Sequence, residues 1–136
     1  MITLRFEAGQ NYGASTNHRT LIPIRLLPPT GAPFVVDALL DTGAGVSKFD
    51  HALLSRLGIA DVTTGVKTDA TAANGQTNTA YIHDVRLEFF GNHMTVPIAF
   101  CPDWQEGLTN LLGMRGFFER MLAAFDHRNR KLFYLL

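Results

Sequence analysis

The chain has 136 residues, the length of one domain, and a core of that size forms without disulfide or metal staples. Twelve Lys+Arg balance twelve Asp+Glu, so the net charge is zero, which argues against a general nucleic-acid binder, an acidic tail or a polybasic membrane tether. Charged residues make up 18%, below the usual fraction of about a quarter, a hint that some surface is hidden against a partner. Residues 1–6 predict a short strand with Ile2, Leu4 and Phe6 on one face, and a polar loop follows from Glu7 to Arg19. Leu21 to Leu27 alternates, with Ile22, Ile24 and Leu26 together, and Pro23 suggests an edge position. Pro28-Pro29-Thr30-Gly31 is a turn, and Phe34 to Leu40 is a second strand running directly into Asp41. Asp50 is placed to cap a short helix, His51 to Leu57, closed by Gly58.

Residues 61–80 are rich in Thr, Ala, Gly and Asn, and Asn74-Gly75 within them is a type I′ hairpin signal. Tyr81 to Phe90 and His93 to Phe100 alternate on either side of Gly91-Asn92, the clearest hairpin of the chain. Leu111-Leu112-Gly113 predicts a short buried strand. Arg115 to Ala124 carries Phe117, Phe118, Met121, Leu122 and Phe125 at helical spacings, and so predicts a C-terminal helix. Asp126 to Arg130 is a turn before a last strand, Lys131 to Leu136. The expectation is a mostly β single domain over residues 1–136, with one short and one C-terminal helix. A coarse repeat, in which a hairpin leads to Leu39-Leu40-Asp41 and later to Leu111-Leu112-Gly113, suggests an internal pseudo-twofold.

Cys101 is the only cysteine, so no internal disulfide forms, and no Cys/His set has zinc spacing. His18, His51, His83, His93 and His127 are scattered and suit surface or packing roles. Met1 to Glu7 has no apolar leader pattern and no run is long enough to span a membrane, so a cytoplasmic protein is expected. Trp104 suits a packing anchor or a pocket wall. Ser47 lacks the context of a nucleophile elbow.

An Asp at the end of a buried strand is costly unless it is hydrogen-bonded or functional. Asp41 is such a residue. Gly43 lets a backbone N–H approach its carboxylate, Thr42 supplies a hydroxyl, and Ala44 keeps the wall thin. An Asp that merely caps a turn is the plain alternative.

The segment from Val36 through Asp41-Thr42-Gly43-Ala44 to Ser47 resembles the active-site strand and loop of retropepsin-like aspartic proteases. Thr71 to Gln76 is similar to the flap hairpin of bacterial members, with Ala73, Asn74 and Gly75 at its tip. Leu111, Leu112 and Gly113 resemble the second hydrophobic-glycine element, and Phe125-Asp126 with Lys131-Leu132-Phe133 the closing strands. The likeness starts near residue 20 and leaves residues 1–19 uncovered. It implies a retropepsin-like acid protease fold, a closed barrel-like set of sheets, and an aspartic endopeptidase acting on peptide or protein substrates. It implies no metal, no organic cofactor, no nucleic acid and no membrane.

Such enzymes place two carboxylates around one water, and this chain has one motif. Asp37 lies four residues earlier on the same strand, roughly 13 Å away at about 3.3 Å per residue, too far to share a proton. The resemblance therefore implies a homodimer with one Asp41 from each chain, Thr42 lying at the twofold axis. Two departures stand out. Gly45 occupies the place of an acidic residue in retroviral relatives, and Arg115 comes two residues after Gly113 rather than next to it. A catalytically inactive dimerisation or peptide-binding module is the alternative function.

Overall fold

A computed structural model of the chain describes residues 9–11, 19–72 and 74–136. The strand expected over residues 1–6, most of the loop after it, and Ala73 lie outside them. Among the described residues ten strands follow in order: β1 Gln10–Asn11, β2 Leu21–Leu26, β3 Phe34–Leu40, β4 Ser47–Lys48, β5 Val66–Thr71, β6 Thr77–Phe89, β7 Asn92–Phe100, β8 Asn110–Leu112, β9 Leu122–Asp126 and β10 Lys131–Leu135. Seven of them form one sheet in the order β2-β3-β8-β4-β7-β6-β5, and β2 also pairs with β6, which closes the sheet into a barrel. The closure runs through Arg25 opposite Glu88 and Leu26 opposite Leu87. A second sheet has the order β1-β10-β9.

The alternation in the sequence is the alternation of burial. Ile22, Ile24 and Leu26 from β2 are fully buried, with Leu87 and Phe89 from β6, Val96, Ile98 and Phe100 from β7, and Leu112 from β8. Burying a side chain of this kind is worth roughly 1.5–3 kcal/mol, so these inward rows stabilise the barrel. Pro23 sits in β2 opposite Asp37, away from the two residues that pair with β6, in keeping with its edge placement.

Four local expectations are corrected. The C-terminal helix over Arg115 to Ala124 is absent: a single 3-10 turn spans Phe118–Arg120, and Leu122–Asp126 is β9, paired antiparallel with β10. Gly116 adopts φ +72°, outside the helical region, and its N–H donates to Glu119 Oε1. Its missing Cβ also makes room for the ring of Pro97. The apolar spacing there packs Phe117 and Phe118 into the barrel end as an edge-to-face pair, centroids 4.9 Å apart.

The β6–β7 turn falls one residue earlier than expected, because Phe89 and Asn92 are a register pair. Phe90 and Gly91 both have positive φ, 44° and 83°, the type I′ pattern. Phe90 tolerates this conformation with its ring stacked near Tyr134, while Asn92 Nδ2 donates to the carbonyls of Phe89 and Phe90. Conversely, Asn74-Gly75 does not form a two-residue type I′ turn, since Ala72 and Gln76 close it and leave three residues between them. The closing pair is Ala72 and Gln76, with the Ala72 N–H donating to Gln76 O at 2.8 Å.

The His51–Leu57 helix is a 3-10 turn over His51–Leu53 that continues as looser turns to Gly58. Asp50 caps it as expected, accepting from the Ala52 N–H at 3.0 Å, and Gly58 ends it at φ +77°.

Candidate active site

β3 and β8 run parallel, with Leu39 beside Leu111 and Leu40 beside Leu112. The two segments singled out as a repeat thus lie side by side in register. Beyond them the chains carry Asp41 and Gly113, and the Asp41 N–H donates to Leu112 O at 2.9 Å. One strand therefore ends on a carboxylate and its neighbour on a glycine.

The loop after Asp41 is clamped by backbone. The Ala44 N–H donates to Asp41 O at 3.1 Å, while Met114 and Arg115 donate their N–H groups to the carbonyls of Ala44 and Gly45 at 2.8 and 3.0 Å. A Cβ on Gly113 would stand 2.6 Å from Ala44 O, so this approach needs glycine. The Gly113 N–H donates at 3.0 Å to Ser47 Oγ, and Ser47 is fully buried. Sequence reasoning weighed Ser47 only as a nucleophile. Its structural role is to satisfy the amide beneath the Asp41 loop, and no linear signal marks it.

The half-buried Asp41 carboxylate accepts from the Gly43 N–H through Oδ1 at 2.9 Å. Oδ2 has no protein partner among the described residues. Thr42, Gly43 and Gly45 are exposed, so the loop presents an open face. Asp37 is exposed on β3, and only its backbone carbonyl is engaged, by Asn110 Nδ2 at 3.0 Å.

A cleft of about 620 Å³ opens between the β5–β6 turn and the segment from Cys101 to Leu111. Asn74, Gln76, Trp104, Leu108, Leu111 and Lys48 are among the residues that line it, and Lys48 and Leu111 are register partners in the sheet. The second hydrophobic-glycine element and the expected flap therefore meet on one cavity. Asp41 does not line it but sits two residues beyond Leu39, the β3 neighbour of Leu111. Trp104 is a pocket wall, its Nε1–H donating to Asn78 Oδ1 at 2.9 Å. Cys101 is buried at the cleft edge, and burial raises its thiol pKa above the ordinary value. Among the described residues no three His, Cys, Asp or Glu side chains gather as a metal ion would require. Nor is any helix among them long and apolar enough to cross a membrane.

Residues 23–115 match the family model for aspartyl proteases. No curated protein matches the chain. A retropepsin-like aspartic protease from Rickettsia conorii is similar over 98% of this chain and 96% of its own, at 18% identity and a TM-score of 0.66. EIAV protease, solved in complex with the inhibitor HBY-793, is similar over 75% of this chain and 88% of its own, at 21% identity and a TM-score of 0.51. At these identities the likeness is one of fold: mostly β and retropepsin-like.

Proposed function

The chain belongs to the aspartyl protease family, and from that premise we propose an aspartic endopeptidase that works as a homodimer, one Asp41 from each chain forming the dyad. The observation that carries this reading is the clamped Asp41 loop: a carboxylate fixed through Oδ1, with Oδ2 open, on an exposed face next to a glycine rather than a second acid. One chain offers half of a two-carboxylate site, and a twofold axis supplies the other half with the same residue.

Two carboxylates that close cannot both ionise, so one holds a proton. The ionised Asp41 removes a proton from the water between them, and the water oxygen attacks the scissile carbonyl carbon. The protonated Asp41 of the other chain hydrogen-bonds the carbonyl oxygen and stabilises the tetrahedral centre, which collapses as the C–N bond breaks and a carboxyl proton of the dyad passes to the leaving amine nitrogen. The pair titrates as a unit, so its two apparent pKa values belong to the dyad. Gly43 holds the carboxylate, Ala44 leaves room for substrate, and Thr42 supports the contact across the axis. Ala73, Asn74 and Gly75 form the tip of a flap that covers an extended peptide and excludes water. Leu111, Leu112 and Gly113 form the floor that sets the height of the loop.

Leu122 and Leu135 are register partners in the second sheet and are 44% and 52% exposed. That apolar pair supports a second copy seated near this sheet, consistent with the low charge content.

The test combines cleavage of unstructured peptides with sizing of the protein. Wild type is expected to cleave, best at mildly acidic pH, and Asp41→Asn to remain dimeric while losing at least about 10²-fold in rate. A verified dimer that cleaves no peptide at any pH would replace this function with a peptide-binding or dimerisation module.

A further inference from the structure

Lys48 is a cation that lines the cleft. It occupies β4 between β7 and β8, paired with Leu111 on one side and Ala99 on the other. Its ammonium group lies 5.8 Å from the centroid of the Trp104 ring. Among the described residues its one hydrogen bond is a long one, 3.4 Å, to Thr71 O at the end of β5. Two of its three donors therefore have no protein partner among the described residues.

The other polar groups of the cleft are mostly committed. Asp50 accepts from the N–H groups of Ala52 and Gly107 at 3.0 and 2.6 Å, using both carboxylate oxygens. His51 Nε2 donates to Trp104 O at 2.8 Å, which fixes the aromatic wall with the Asn78 contact. Asp103 also borders the cleft, but from an exposed position, and makes no ion pair with Lys48. What remains is an aromatic and aliphatic slot, lined by Trp104 and Leu108, with an ammonium that has no ion-pair partner among the described residues. That combination fits a side chain with an apolar stem and an acceptor tip.

We infer that Lys48 is a specificity-determining residue that selects peptides carrying a glutamate close to the scissile bond. The inference rests on the protease reading above. β4 is two strands from β3 across β8, roughly 10 Å at about 4.8 Å per step. An extended substrate covers that span in about three residues, so the glutamate lies within three positions of the cleaved bond. In a twofold dimer each half of the substrate meets one Lys48. The Lys48–glutamate contact is a charge-assisted hydrogen bond in a half-open cleft, with Asp103 opposing it, so the preference is moderate.

The experiment uses peptide sets with Glu, Gln or Lys at each of three positions on either side of the cleaved bond. Wild type should prefer Glu over Gln at one position by about tenfold in kcat/KM. Lys48→Met should erase that preference, and Lys48→Glu should reverse it toward Lys. The absence of a Glu preference, or its survival in both variants, would overturn the inference while leaving the protease function intact. The same peptides are titrated against Asp41→Asn by fluorescence polarisation, a readout that needs no catalysis. If wild type cleaves nothing, the protease function fails, and selective binding of Glu peptides that Lys48→Met abolishes would still sustain the role of Lys48. Binding without that selectivity, or no binding at all, would overturn it as well.

Discussion

Gly113 and Ala44 touch through backbone alone: a Cβ added to Gly113 would stand 2.6 Å from the Ala44 carbonyl oxygen and 3.0 Å from that of Val46. Neither neighbour is a side-chain tip that can swing away, and both belong to the loop that carries Asp41. Gly113→Ala is therefore expected to lower unfolding free energy by about 1–3 kcal/mol, the usual cost of overpacking. Ser47→Ala leaves the Gly113 N–H buried without an acceptor and should cost about 1–3 kcal/mol by a different route. Urea midpoints measure both. In each case peptide cleavage should fall further than stability predicts, because the loop that moves holds the carboxylate.

The contrast between these two residues shows what the sequence could and could not reveal. Gly113 was legible, since a hydrophobic pair ending in glycine recurs after Leu39-Leu40-Asp41. Ser47 was not, because its partner is 66 residues away and a lone hydroxyl carries no period. The barrel strands were legible for the opposite reason: β6 and β7 alternate over Val85–Phe89 and Met94–Ile98, where every second residue is buried. The C-terminal helix failed where apolar spacing fits two structures. Phe117, Phe118 and Phe125 satisfy a helical stripe, yet Gly116 breaks it and β10 gives Leu122–Asp126 a strand partner. Lys48 and Trp104 are brought together by the pairing of β4 with β7, so their cleft had no linear signature.

At the β5–β6 turn, Gly75 sits at φ +84° with nothing within 4 Å of a built Cβ. Substitution there is a matter of backbone strain and not of space. Gly75→Ala should destabilise the turn by about 1–2 kcal/mol. Gly75→Asn should recover much of that loss, since Asn enters the left-handed region more readily. If this turn covers bound peptide, Gly75→Ala should raise KM for peptide cleavage and Gly75→Asn should restore it. Equal kinetics in all three proteins would remove the turn from the site.

Asp61 gives the acid limb of stability a specific contributor. Its Oδ1 accepts from the Thr63 hydroxyl at 2.6 Å and from the Thr63 N–H at 3.0 Å. These bonds, the hydroxyl first, hold its pKa below the ordinary 3.8. A depressed folded-state pKa contributes stability that is present above the unfolded value and lost as pH falls through the folded one. Asp61→Asn should therefore lower the thermal midpoint at pH near 6, and the gap from wild type should shrink once pH drops below 3.8. A gap that stays constant down to acid would show that the Asp61 charge contributes nothing.

The requirement for two Asp41 residues can be tested by mixing. Wild type and Asp41→Asn are combined at a fixed total concentration and left to exchange subunits. If each active site needs both carboxylates, mixed dimers are inactive and only wild-type pairs cleave. Activity then follows the square of the wild-type fraction, so an equal mixture retains about a quarter of the starting rate. If each chain carries a complete site, the same mixture retains about a half, because every wild-type subunit works regardless of its neighbour. Asp41→Asn is suited to this test because Asn keeps an oxygen to accept from the Gly43 N–H, which preserves the loop while removing the charge. Chemical cross-linking of differently tagged chains would verify that exchange occurred, so a half-activity result would count directly against a shared dyad.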